Sequence, residues 1–190
     1  MSLATDNMVW LEYFGTASGL LYLALEIKQH KAMWLIGLVT SLVYVFVFMF
    51  AKIYADMGLQ LYYVAISLYG LREWSESPGT ISYRHINRNL SIGVTAAILL
   101  IFYALWLILD KLTDSPIPIG DAITTSIGIV ATWMLAKRII EHWMLWTVAN
   151  MISVYIYMLR GLYPTMFLYI CYALLAIFGY YNWKKNGIRI

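Results

Sequence analysis

Long apolar runs separated by short polar, basic stretches set the pattern of this chain. Seven mostly apolar windows fall near 8–28, 32–51, 56–74, 90–109, 119–136, 142–159 and 163–183. Each is about 17–22 residues long, enough to cross a hydrocarbon core of roughly 30 Å. Between them lie segments such as SESPGTISYRHINRN and DKLTDSPIPIGD, whose prolines, glycines and charges stop helices. The pattern predicts an all-α integral membrane fold with seven transmembrane helices. The first run carries Glu12 and Glu26 and has no basic segment before it, so it reads as a membrane helix, not a cleaved signal peptide.

Composition agrees with that reading. Of 190 residues, 62% are hydrophobic and 12% charged, against about 25% charged in soluble domains. Lysines and arginines fall on alternate loops. Lys28, Lys31, Arg72, Arg84, Arg88, Lys137, Arg138, Lys184, Lys185 and Arg189 share one side; Lys52, Lys111 and Arg160 take the other. Basic loops stay cytoplasmic, which predicts an N-terminus outside and a C-terminus inside. The net charge of +3 reflects this bias and calls for no nucleic-acid partner.

Shifted by 109 residues, segment 12–74 aligns with segment 121–183 without a gap. Gly19 falls on Gly128, Lys28 on Lys137, Trp34 on Trp143, Met57 on Met166, Tyr63 on Tyr172, Gly70 on Gly179 and Trp74 on Trp183. Each unit holds three predicted helices, and residues 75–120 supply a cytoplasmic linker, one further helix and an outer loop. Because three is odd, the added helix makes the repeats parallel. A 3+1+3 arrangement of this kind places a transporter's substrate site between repeats near the midplane.

Polar groups at membrane depth need partners. Thr40, Ser41, Gln60 and Ser67 are such groups in the first repeat; Thr124, Thr125, Ser126, Asn150 and Ser153 are theirs in the second. Serine and threonine can bond the carbonyl one turn back, which Gln60 and Asn150 cannot do as readily. In the stretch WMLWTVAN, Trp143, Trp146 and Asn150 stand at i, i+3 and i+7 and share a helix face. That face either packs in a protein seam or receives a flat polar ligand. Trp74 and Trp183, at helix ends, fit an interfacial aromatic belt.

Other chemistry is poorly served. His30, His85 and His142 have no metal-ligand spacing and read as interface polarity, and Cys171 is alone. No nucleophile elbow, phosphate loop or membrane-embedded Ser/His/Asp set is present, so the reading is of a non-enzyme without cofactor or metal. Glu12, Asp56, Asp110, Asp114 and Asp121 belong near the outer surface; Glu26, Glu73, Glu76 and Glu141 belong near the inner one. With no carboxylate mid-span, facilitated diffusion (uniport) is expected over ion-coupled transport. Glu12 and Asp121 read as helix-capping groups.

The segment from Asp121 to Trp183, with EYFGTASGLLYL, IYADMGLQ and LYGLREW in the first repeat, resembles the PnuC family of bacterial vitamin transporters. The resemblance implies a SWEET-like fold in the bacterial inner (plasma) membrane, a homotrimer, and uptake of nicotinamide riboside or, in PnuT relatives, thiamine. A cytoplasmic kinase then traps the vitamin by phosphorylation. It further implies that Trp143 and Trp146 hold the heteroaromatic ring while Asn150 and Gln60 bond its polar groups. Thr40, Ser67, Tyr63 and Thr125 complete the candidate set. Nicotinamide riboside carriers of that family have asparagines where this chain has Thr40 and Ser67, and YGWY where it reads Tyr69, Gly70, Leu71, Arg72. This departure tilts the expectation toward thiamine, with the riboside as the alternative. A substrate-binding membrane subunit of a multi-protein importer is the rival from another class.

Overall fold

In the computed structural model, residues 17–75, 81–113 and 116–190 are described. Glu12, Gly15, Thr16, Glu76, Pro78, Gly79 and Asp114 lie outside them. Seven helices run through the described chain: α1, seen over Ala17–Ile27, α2 (Ala32–Ala51), α3 (Tyr54–Ser75), α4 (Arg88–Leu112), α5 (Pro118–Ala136), α6 (His142–Leu159) and α7 (Tyr163–Asn186). Two short strands, β1 (Ser82–Tyr83) and β2 (Ile188–Arg189), flank the last four. By length and composition α2, α4, α5 and α7 suffice to cross a membrane. Helices α3 and α6 carry Gln60, Ser67, Asn150 and Ser153 among the polar side chains singled out above. The chain divides into two compact units, Met1–Ile81 and Ser82–Ile190.

In the first unit α1 ends in a tight turn at Gln29, whose φ of 51° is left-handed. There the Gln29 N–H donates to the Glu26 carbonyl and the His30 N–H to that of Leu25. Trp34 then opens α2 fully buried, its indole lying over Gly70 of α3 so closely that a Cβ there would overlap the ring. Trp74 meets Trp34 edge-on, centroids 5.4 Å apart at 88°. Helix α2 ends at Lys52, also left-handed, whose N–H donates to the Met49 carbonyl while that of Ile53 reaches Phe48.

The second unit repeats these details 109 residues later. Arg138 takes the left-handed turn position at φ 57°, its N–H donating to Leu135 and that of Ile139 to Met134. Trp143 lies over Gly179, where a Cβ would stand 2.6 Å from the ring, and Trp183 meets it edge-on at 5.7 Å and 89°. Gly161 replaces Lys52 at the end of α6 with the same two bonds, to Met158 and Tyr157. A glycine carries no penalty at positive φ, whereas a lysine does. Met57 and Met166 also correspond, both N–H groups closing the first turn of the third helix.

Two features belong to the second unit alone. Helix α4 packs on α5 through Val94, Val130, Met134 and Ile139, with Leu90, Ile98, Ile101 and Leu145 around them. Asn87 caps α4 by accepting from the Leu90 N–H at 2.8 Å. The segment leading into α4 is also clasped on two sides. β1 pairs in parallel with β2, and Arg84 exchanges backbone bonds with the α5–α6 turn, to Arg138 and Ile140. The Glu141 carboxylate accepts from His85 Nδ1 at 2.7 Å and from the Ile86 N–H at 3.1 Å.

Two expectations are corrected here. Trp74 and Trp183 are core residues, not belt residues, because each completes an edge-on tryptophan pair. His142 is fully buried instead of lying at a polar interface. Its Nδ1–H is satisfied by the Ile139 carbonyl at 2.7 Å and its ring packs between Trp143 and Trp183. Glu26, near the end of α1, is buried as well. Asp121 stands in the first turn of α5, where its charge suits the helix dipole.

Candidate functional site

The polar side chains of α5 and α6 fall into two groups. Thr132, Thr147 and Ser153 donate to the carbonyl four residues back, Ser126 to that three back, and Thr124 to both. They satisfy themselves within the helix, as expected of hydroxyls in apolar surroundings. Thr125, Trp146 and Asn150 do not: among the described residues their side chains make no hydrogen bond. The Trp146 Nε1–H is itself buried, a donor without an acceptor. Asn150 is 8% exposed, and its amide offers one acceptor and two donor hydrogens. Leaving such groups dry costs about 1–3 kcal/mol each; the indole N–H groups of Trp34 and Trp143 are in the same state, but those rings are sealed while Trp146 is half-buried.

Helix geometry brings the two together. Trp146 and Asn150 are one turn apart on the same face of α6. Bordering that face, Ala149 and Ser153 are buried, while Met144, Val148, Met151 and Tyr155 are exposed on another. The helix is thus fixed by packing and its polar pair is held in place. A half-buried indole and an amide in this relation can stack a flat heteroaromatic ring and bond its substituents.

Trp143 occupies a different position. It is 1% exposed, held between Gly179, Trp183 and His142, with no free ring face to offer. The sequence pattern placed all three motif residues on one face, and the structure separates the first from the other two by depth.

In the first unit, Ser67 is buried while Thr40, Gln60 and Tyr63 are partly buried. None of the four makes a side-chain hydrogen bond among the described residues, though the Tyr63 ring packs edge-on to Tyr62. Thr40 borders an open apolar groove between α1 and α2 with Ser18, Leu21 and Val39. Tyr22 is a residue the sequence reading passed over. A Cβ on Gly37 would lie 3.1 Å from the Tyr22 ring and 3.2 Å from Ser67 Oγ, so Tyr22 and Ser67 meet across that glycine. A tyrosine one turn from a buried glutamate was the available signal.

Residues 9–185 match the profile of a family described as nicotinamide mononucleotide transporter. The nicotinamide riboside transporter PnuC of Escherichia coli is 26% identical over 209 residues, spanning 95% of this chain and 87% of its own. The riboflavin/roseoflavin transporter RibM of Streptomyces davaonensis is 25% identical over 196 residues, spanning 97% and 89%. A solved structure, that of the vitamin B3 transporter PnuC, superposes with a TM-score of 0.72 at 23% identity, covering 96% of this chain and 83% of that one; it shares the fold. With its apolar helices, its matched length and this architecture, the chain is a multi-pass membrane protein and belongs to the nicotinamide mononucleotide transporter family, that of the PnuC proteins.

Proposed function

We propose that this protein carries nicotinamide riboside across the bacterial inner membrane by facilitated diffusion, with a cytoplasmic kinase trapping the vitamin as its phosphate. The observation that carries the reading is Trp146, half-buried where Trp34 and Trp143 are sealed, with its indole N–H lacking an acceptor one turn from the Asn150 amide. Nicotinamide riboside brings what these groups lack. Its carboxamide carbonyl accepts from an indole N–H, its carboxamide or ribose pairs with an amide, and its pyridinium stacks on an aromatic face. A desolvated cation–π contact contributes about 2 kcal/mol and each bond to a charged or polar group about 1–3 kcal/mol. A few of these reach the roughly 8 kcal/mol of micromolar binding.

Thr40 and Ser67, in place of asparagines, argued for thiamine. The relatives favour the riboside instead: PnuC proteins of Escherichia coli and Neisseria mucosa are named for it. Hydroxyls at Thr40 and Ser67 retain a donor and an acceptor each and so still suit a ribose diol. RibM supports a second reading, riboflavin, whose flat ring system would also stack on Trp146. The homotrimer, the N-out, C-in orientation and the parallel three-helix repeats belong to the same proposal. They are supported by the family, by the lysine and arginine pattern and by the recurrence of local geometry.

The test is binding and transport by the purified chain. Nicotinamide riboside, thiamine and riboflavin are titrated by tryptophan fluorescence against the native protein and Trp146→Ala. Uptake is then measured in liposomes holding this protein alone. Riboside binding lost in Trp146→Ala, with equilibration and no further subunit, is the expected result. Binding without equilibration would point to a component of a larger importer. A riboflavin response alone would make the second reading correct.

A further inference from the structure

The 109-residue shift splits the WxxWxxxN motif into a part both units share and a part only one has. Trp143 has a twin in Trp34. Both are buried, 1% and 0% exposed. Both lie over a glycine and edge-on to a second tryptophan. Both follow the same turn, with N–H groups donating three residues back to Lys31 and Ile140, and both keep a buried indole N–H without an acceptor. Trp146 and Asn150 have no such twins, for Gly37 and Ser41 stand at those places. In the first unit the ring over Gly37 comes from Tyr22 of α1, whose counterpart on α5 is Ala131.

A ring with no exposed surface in either unit does not touch a ligand; it serves what the units have in common, the joint between their second and third helices. We propose that Trp143 is a positioning residue. Seated on Gly179, it fixes the rotation of α6 about its own axis, and ligand contact begins only at Trp146, one turn on. This rests on the ligand-site reading of Trp146 and Asn150. The second unit recognises the vitamin because it has added an indole and an amide to a joint that the first unit also possesses.

The experiment uses the full chain labelled with fluorotryptophan, its fluorine resonances assigned by single Trp→Phe variants. Adding nicotinamide riboside is expected to shift the Trp146 resonance and leave those of Trp143 and Trp34 in place. A Trp143 shift as large as that of Trp146, with Trp34 still, would overturn the proposal. A second arm reads Tm and riboside affinity in Trp143→Phe, Gly179→Ala and the double variant. Both single changes disturb one seat, so each should lower Tm and weaken binding several-fold, and the double should be no worse than the stronger single. Additive losses overturn it. Trp146→Phe, by contrast, should multiply with Gly179→Ala in affinity. If the riboside moves neither α6 resonance, the site reading fails, and the Tm cycle decides the role of Trp143 by itself.

Discussion

Trp143 rests on Gly179, its outer ring carbons filling the space a Cβ would need. The same seat joins Trp34 to Gly70. Overpacking a core by one methyl costs about 1–3 kcal/mol, so Gly179→Ala and Gly70→Ala should each lower Tm by several degrees. Thermal unfolding of the purified variants checks this; an unchanged Tm in both would mean that the indoles move aside freely.

Ligand recognition should fail selectively at Trp146 and Asn150. Trp146→Ala removes a stacking face and a donor, together about 2–3 kcal/mol, and should weaken riboside binding roughly 30- to 150-fold with a smaller effect on Tm. Asn150→Ala should weaken it about tenfold. Calorimetric titration of the two variants separates affinity from folding.

Lys52 and Gly161 occupy the same left-handed position at the ends of α2 and α6, with φ 60° and 68°. A side chain there costs about 1–2 kcal/mol relative to glycine. Lys52→Gly should therefore stabilise and Gly161→Lys destabilise by comparable amounts, read as opposite shifts in Tm.

Glu141 holds the segment entering α4 through His85 and the Ile86 N–H. Glu141→Ala leaves that N–H without its carboxylate, a loss of about 1.5–3 kcal/mol for a bond to a charged group. Faster amide exchange at Ile86, with exchange in the core of α5 unaffected, is the expected signature.

If the basic loops are cytoplasmic, a cysteine placed at Lys185 should react with an impermeant thiol reagent only after the membrane is opened. One placed at Lys52 should react in intact cells. The reverse pattern would invert the orientation. Cys171 is exposed and needs replacing first.

The helices were readable because long apolar runs and their Pro and Gly punctuation act locally. The recurrence of local geometry was readable because rare residues, Trp34, Gly70 and Trp74, recur at one spacing. Their meaning was not. Trp74 and Trp183, near helix ends, look like belt residues until the tryptophan each meets edge-on is known, and that pairing joins residues 40 apart in the chain. The strands were hidden for a similar reason: two residues carry no periodicity, and β1 finds β2 only through the folded unit. In the candidate site, Trp146 and Asn150 were visible as polar exceptions in an apolar run. What set them apart from Thr124, Ser126 and Ser153 was hydrogen bonding, which residue type alone does not settle.

The pairing of β1 with β2 also has a consequence for biogenesis. Arg84, just after β1, is met early by the α5–α6 turn, but the edge of β1 itself is completed only by Ile188 and Arg189. At about 5–20 residues per second, that edge waits roughly 5–20 s while α4 to α7 are made and inserted. Throughout that interval Ser82 and Tyr83 lack their strand partner. A nascent chain stalled before residue 188 would present an open strand edge to whatever chaperone or neighbouring chain arrives first.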